Sequence, residues 1–365
     1  MSDTHQEGRG IVLSPAPHLG QRTSTARMAW LVVVSLIPAT AWGIVLFGLP
    51  AVIVLCASIG AALASEALTS LLFRRFTLHD GSAFLTGLLI GLLMPPGVPV
   101  YVPAIASVFA VCVIKQSFGG LGRNWMNPAM GGVVFALLSW GSSMTRWLPA
   151  RGADAAVPPL VAWKAALATH AASGTPLSVL SASGYRFSGL DGSVVSWVNA
   201  HVLGPIGAPL APGSFDLLIG HVPGSIGELS APLLLLGAVL LLRRHAGRWQ
   251  VPVVYLATFT VLSFVFGGLP GGQGWFTGGP GFNLLSGSLL LGAFFVAIDP
   301  VTSPLTKTGR LIYATALGVL TFLTRFFGSL GDGVAVAILL GNCTVPLLDR
   351  LAHRHAPRAA EEKTP

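Results

Sequence analysis

Between Lys115 and Ala129 the chain reads Lys-Gln-Ser-Phe-Gly-Gly-Leu-Gly-Arg-Asn-Trp-Met-Asn-Pro-Ala. Gly119, Gly120 and Gly122 let backbone amides come close to a ligand, Lys115 and Arg123 add positive charge, and Asn124 adds a side-chain amide. Asn127 before Pro128 is the cap and first residue of a helix. The combination suits a nest for an anionic or carbonyl-rich ligand, and it equally describes a well-capped turn between apolar helices. A second group, Asp299-Pro-Val-Thr302-Ser-Pro-Leu-Thr-Lys-Thr-Gly-Arg310, sets an acid before hydroxyls and two cations. It fits an ion gate, a headgroup or cofactor site, or an interfacial turn.

Glu66 lies inside an apolar stretch, where an isolated carboxylate is costly, so it must face a partner or an aqueous path. Asp80 and Asp332 stand nearer the ends of such stretches and are weaker ion-pathway candidates. His170-Ala-Ala-Ser173-Gly174-Thr175-Pro-Leu reads as a Ser/Thr turn before a proline. His221-Val-Pro-Gly-Ser-Ile-Gly-Glu228 reads as a glycine-rich approach to a helix, with Glu228 near its N-terminus. The histidines lack metal-ligand spacing, and Cys56, Cys112 and Cys343 are far apart with no CxxC, so no metal site is expected. The pattern builds no serine or cysteine hydrolase and no phosphate-binding loop.

The elements that must hold these groups are apolar throughout. Only 9% of the 365 residues are charged and 53% are hydrophobic, too little polar surface to cover a soluble domain. Spans are predicted at Met28–Gly48, Ala51–Phe73, Phe84–Met94, Val98–Ile114, Met130–Ser143, Ser230–Leu242, Val251–Phe266, Leu284–Ile298, Leu311–Phe326 and Val334–Leu348. Counted from a cytoplasmic N-terminus, 16 of the 21 Lys+Arg fall on one side, which is the positive-inside pattern. The net charge of +8 is accounted for by those turns and calls for no nucleic acid. The expected fold is therefore an all-α integral membrane protein of about ten transmembrane helices. Residues 1–27 and 350–365 form cytoplasmic tails. Residues 28–144 and 229–349 form two five-span halves of opposite orientation, an inverted repeat, and 145–228 is a long outer segment. The third span, Phe84–Met94, is short and ends in Pro95-Pro96-Gly97, which predicts a broken helix lining a cavity.

Taken together, Lys115…Asn127-Pro-Ala, Thr175-Pro-Leu, His221…Glu228, Asp299…Pro304 and Asp332-Gly-Val-Ala…Asp349-Arg350 resemble one family. It contains the D subunit of Rnf electron-transport complexes and the B subunit of sodium-translocating NADH:quinone oxidoreductases. The likeness runs from about Trp30 to Arg350. It implies a flavoprotein subunit of an ion-translocating ferredoxin:NAD oxidoreductase, not catalytic alone, with coupled proton or sodium translocation. It also implies FMN attached through its phosphate to the hydroxyl of Thr175, with Ser173 and Gly174 beside it. The family's attachment sites usually read Gly/Ser-Ala-Thr with an upstream acid, where this chain has Ser173-Gly174-Thr175 and Thr169-His170. A second, noncovalent flavin (riboflavin) or quinone-like site is expected between the Gly119–Asn127 loop and the Asp299–Arg310 turn, with Gly119, Gly120, Gly122, Arg123, Asn124, Asn127, Asp299 and Thr302 as binding candidates. Glu66, Asp80 and Glu228 are the ion-pathway candidates. Implied partners are the A, B, C, E and G subunits, above all the FMN-bearing G subunit, together with a flavin transferase and membrane lipid. The implied location is the bacterial inner membrane with Thr175 periplasmic. Two other readings remain from the residues: a channel or transporter of the inverted five-span, urea-transporter kind, and a cofactor-free scaffold.

Overall fold

The computed structural model describes residues 25–74, 78–120, 122–151, 157–168, 176–177, 180, 184–203, 210–228, 230–244, 248–271 and 274–354. Thr175, Ser173 and Gly174 lie outside the described residues. Every regular element among the described residues is helical. The first five are α1 (Thr25–Phe47), α2 (Leu49–Phe73), α3 (Ser82–Leu92), α4 (Tyr101–Phe109, carried on by π-turns to Gln116) and α5 (Pro128–Ser139). The long segment holds α6 (Pro159–Ala168), α7 (Gly189–Val198) and α8 (Ser214–Ile219). Then come α9 (Ala231–Arg244), α10 (Gln250–Phe266), α11 (Pro280–Leu285), α12 (Leu289–Leu291, with π-turns to Val296), α13 (Lys307–Phe327) and α14 (Val334–Arg354).

A helix covers each predicted apolar stretch, but their lengths differ. Four helices, Ala26–Phe47, Leu49–Phe73, Lys307–Phe327 and Val334–Leu351, are long and apolar enough to cross a membrane; Ser82–Leu92, Tyr101–Gln116, Pro128–Ser139 and Gln250–Phe266 are shorter apolar helices. The predicted eighth span is two pieces, α11 and α12, parted at Ser286-Gly287-Ser288. Gly287 there has φ of 77°, a conformation that stops a helix. Among its described residues the long segment carries the short helices α6, α7 and α8. Two buried aspartates anchor it: Asp191 accepts from the amides of Gly213 (2.7 Å) and Phe215 (2.9 Å), and Asp216 accepts from the Ser188 amide (2.6 Å).

α2 packs along α3 and α4, α1 along α9, and α13 along both α10 and α14. One apolar core, including Leu36, Val54, Ile90, Met130, Tyr255 and Leu289, runs through both halves of the chain. The opposite faces of the long helices carry exposed Val34 and Ile37 on α1 and Leu236 and Val239 on α9, as a lipid-facing protein requires.

α3 is broken, as the short third span predicts. Its 11 residues rise only about 16 Å, half a hydrocarbon core. Backbone groups freed at its end need partners, and the chain returns to supply them. Gly227 donates its amide to the Leu92 carbonyl (2.8 Å) and Ile226 donates to that of Met94 (3.2 Å). The returning strand fits because two positions lack a side chain. A Cβ on Gly43 of α1 would stand 2.3 Å from the Ile226 oxygen, and one on Gly227 would stand 2.6 Å from the Leu92 Cβ.

Candidate functional site

Two cavities flank that junction. The first, about 110 Å³, is walled by Ser82, Lys115, Asn124, Asn127 and Asp299, with Leu89 and Phe295 among its apolar lining. Three residues singled out as binders, Asn124, Asn127 and Asp299, thus meet across 172 positions of sequence. Asn127 caps α5, its Oδ1 accepting from the amides of Ala129 (3.0 Å) and Met130 (3.3 Å), and its Nδ2 donates to Asp299 (3.4 Å). Asp299 also accepts from the Val301 amide (3.2 Å) and the Thr302 hydroxyl (3.1 Å), so Thr302 orients the acid from outside the lining. Asn342 of α14 ties the two segments together. With its amide oriented to suit both neighbours, it accepts from the Asn127 amide (3.0 Å) and donates to the Thr302 carbonyl (3.2 Å).

Lys115 is fully buried at the wall of this cavity. Its Nζ lies 2.9 Å from Glu66 Oε1 and donates to the Ser82 hydroxyl. Gln116 donates to the other Glu66 oxygen (2.8 Å), and Asp80 accepts from the Ser82 amide (2.8 Å) and hydroxyl. Two ion-pathway candidates, Glu66 and Asp80, therefore belong to one cluster that pins the start of α3. Gly119, Gly120 and Gly122 all have left-handed backbone, with φ of 99°, 92° and 92°. The amides of Gly119 and Gly120 donate to Gln116 and Lys115 carbonyls inside the loop, and Arg123 folds over Gly119. These four shape the loop and do not line the cavity.

The second cavity is larger, about 380 Å³, and is walled by Trp147, Lys164, Ser225, Glu228, Ser286 and Asp332 among others. Burial, and then the charge of Arg325, lower the Lys164 pKa, and Asp332 opposes them. Ser286 Oγ is buried here with no hydrogen-bond partner among the described residues. Asp332 accepts from the Ser288 amide and hydroxyl (2.5 and 2.6 Å). Arg325, fully buried, donates through Nε to the Asp332 carbonyl (3.0 Å) and through Nη1 to that of Asn283, and lies 5.0 Å over the Phe259 ring. Pro176 packs on Gly279 at the start of α11. Leu177 joins the apolar cluster of Leu160, Leu217 and Val222, three residues that also line this cavity.

The two sites are built alike. In each, a buried cation near the end of a helix, Lys115 or Arg325, sits with a Gly-Ser pair, Gly81-Ser82 or Gly287-Ser288, and an aspartate that holds that serine. Sequence reasoning named Lys115 and missed Ser82, Lys164, Arg325 and Asn342. Arg325 carried a usable signal, a charge inside an apolar stretch. Among the described residues no group of three or more His, Cys, Asp or Glu could hold a metal ion.

These features define a helical protein with membrane-spanning segments and two mainly apolar cavities, each with a few polar groups, beside a broken helix. The family model described as "NQR2, RnfD, RnfE family" matches residues 12–357, and the chain belongs to that family. The D subunit of the proton-translocating ferredoxin:NAD(+) oxidoreductase complex of Clostridium ljungdahlii is 37% identical over 343 residues, 93% of this chain and 94% of the relative. The D subunit of the ion-translocating oxidoreductase complex of Stutzerimonas stutzeri is 38% identical over 347 residues, 93% and 92% of the two chains. The corresponding subunit of the Na(+)-translocating complex of Acetobacterium woodii is 32% identical over 343 residues, 93% of each.

Proposed function

We propose that this chain is the D subunit of an ion-translocating ferredoxin:NAD oxidoreductase complex of the bacterial inner membrane and carries electrons through an FMN esterified to Thr175. The observation that carries the reading is the Lys164 cavity. Pro176 and Leu177, next in sequence to Thr175, pack on Gly279 and on the apolar cluster that forms its wall. Its volume of about 380 Å³ lies in the range of ligand pockets, roughly 300–1,000 Å³. Its polar groups suit the carbonyl-rich edge of an isoalloxazine: the Lys164 ammonium donates, and the Ser286 hydroxyl, buried without a partner among the described residues, is free to donate. The flavin supplies one- and two-electron redox chemistry, and the protein supplies position, electrostatics and exclusion of water. Trp147 and Leu160 would offer apolar surface to a bound ring, and Glu228 and Lys164 are the lining groups that would hold or release a proton at its polar edge.

For a second flavin, riboflavin, the Lys115 cavity is the candidate site. Lys115, Asn124 and Asn127 offer donors and Asp299 an acceptor for a ring imide, but about 110 Å³ holds the edge of a tricyclic ring and not the whole of it. The matched construction of the two sites supports an inverted repeat of two five-span halves. Together with the positive-inside count, it favours a Lys115 cavity facing the cytoplasm, a Lys164 cavity facing the periplasm and two cytoplasmic termini. The periplasmic cavity would exchange electrons with the G subunit, and the cytoplasmic one with the subunits on that face.

The test is peptide mass spectrometry of the complex purified from its own host, with in-gel flavin fluorescence, for wild type and Thr175→Ala. An FMN-sized adduct on the Thr175 peptide, absent from the variant, is the expected result. No adduct in a host with a working flavin transferase would overturn covalent attachment and favour a cofactor-free scaffold.

A further inference from the structure

We propose that the contact between the two cavities is an ion-tight seal, so that the ions moved by the complex do not cross the membrane through the interior of this chain. The cavities come close together without joining. The Lys115 cavity reaches Leu89 on α3 and the Lys164 cavity reaches Leu93, the residue that caps its C-terminus; on α5 they reach Ala129 and Val133. Three residues lie between them on each segment and form the partition, a four-residue helical step of about 6 Å. On the third side, Ser288 and Phe295 bound the same partition.

What fills it is apolar. Ile90, Leu92, Met130, Leu289, Leu291 and Ile226 are all at most 1% exposed. Leu92 and Leu291 converge on Gly227, where a Cβ would meet them at 2.6 and 2.9 Å. A hydrophobic constriction of this kind excludes water and therefore ions. Transporters with broken helices coordinate their ions with the carbonyls that the break exposes. Here the Leu92 and Met94 carbonyls accept from the amides of Gly227 and Ile226, so the break is closed by protein. The charged groups divide between the two sides. Lys115 and Asp299 line one cavity, with Glu66 on Lys115 and Asp80 on Ser82 behind its wall; Lys164, Glu228 and Asp332 line the other, with Arg325 beside Asp332; none of these groups lies inside the partition. The seal insulates ions.

The reading rests on membrane embedding in the complex but not on the flavin, because the assay needs no electron donor. The whole complex is reconstituted into vesicles of phosphatidylethanolamine and phosphatidylglycerol. Proton entry is followed with an internal pH dye, and sodium entry with ²²Na⁺, under an imposed potential. The paired Leu92→Asn/Leu291→Asn variant is expected to raise the resting leak about tenfold, because polar side chains wet the partition. The paired Leu92→Ala/Leu291→Ala variant is expected to stay at the wild-type rate, because an enlarged apolar cavity remains dry. A leak unchanged in the asparagine pair, or equal in both pairs, would overturn the seal. If the asparagine pair does not assemble, Leu92→Cys and Leu291→Cys, each in a background with Cys56, Cys112 and Cys343 replaced by serine, provide the second measurement. A charged, membrane-impermeant thiol reagent added on both sides should leave both unmodified until the complex is denatured, and modification in the native complex would refute the proposal.

Discussion

Gly43→Ala isolates the docking of the returning strand on the broken helix. The new methyl carbon would stand 2.3 Å from the Ile226 oxygen and 2.9 Å from Ile226 Cγ2. Neither can be kept, so either α1 shifts or residues 223–228 withdraw. Overpacking of this kind costs about 1–3 kcal/mol. Withdrawal also puts at risk the hydrogen bonds from Gly227 to Leu92 and from Ile226 to Met94, about 0.5–1.5 kcal/mol each. Alanine in place of glycine inside a helix returns about 1 kcal/mol. The net expectation is a loss of about 1–5 kcal/mol. Gly60→Ala on α2 is the control, because nothing among the described residues lies within 4 Å of its Cβ position, and there the propensity gain stands alone. Thermal and denaturant unfolding of the purified complex, with limited proteolysis of the 221–228 segment, reads both variants. If Gly43→Ala matched Gly60→Ala in stability and protease resistance, the close approach of α1 to Ile226 would be wrong, and with it the account of how α3 is closed.

Asn127→Ala removes the α5 cap and the bond to Asp299, an expected loss of about 1–2 kcal/mol in unfolding assays, whereas Asn127→Asp keeps the cap and sets two acids face to face. Asp332→Ala takes the counter-charge from fully buried Arg325, for which about 3–5 kcal/mol is expected, measured as loss of assembled complex on thermal challenge. Lys164 should impose a pH dependence of definite sign. Its pKa is lowered in the folded protein below the usual 10.5, so between the two values the unfolded chain binds more protons and stability rises with pH. Unfolding midpoints across alkaline pH should show that rise in wild type and a weaker one in Lys164→Met.

Much of this architecture is written locally. The apolar stretches mark ten helical positions because a bilayer accepts little else. Asn127-Pro128 marks the start of α5 because a cap and a preset φ act within one turn, and Pro95-Pro96-Gly97 marks the break after α3. The motifs carried the family, and they named Asn124, Asn127 and Asp299, which the fold then brings to one cavity. Other features have no local mark. Glu66 shows that a partner is required, but not that it is Lys115, because nothing near Glu66 in sequence specifies how α2 packs on the end of α4. Lys164 and Ser286 read as an ordinary cation and an ordinary serine until the short helices of the long segment set them around one cavity. The Leu92–Gly227–Leu291 contact joins three segments, and nothing beside any one of these residues in sequence names the other two. Periodicity, charge bias and capping act over a few residues and are legible in order. The cavities and the partition between them depend on which helix faces are pressed together, and only the tertiary packing decides that.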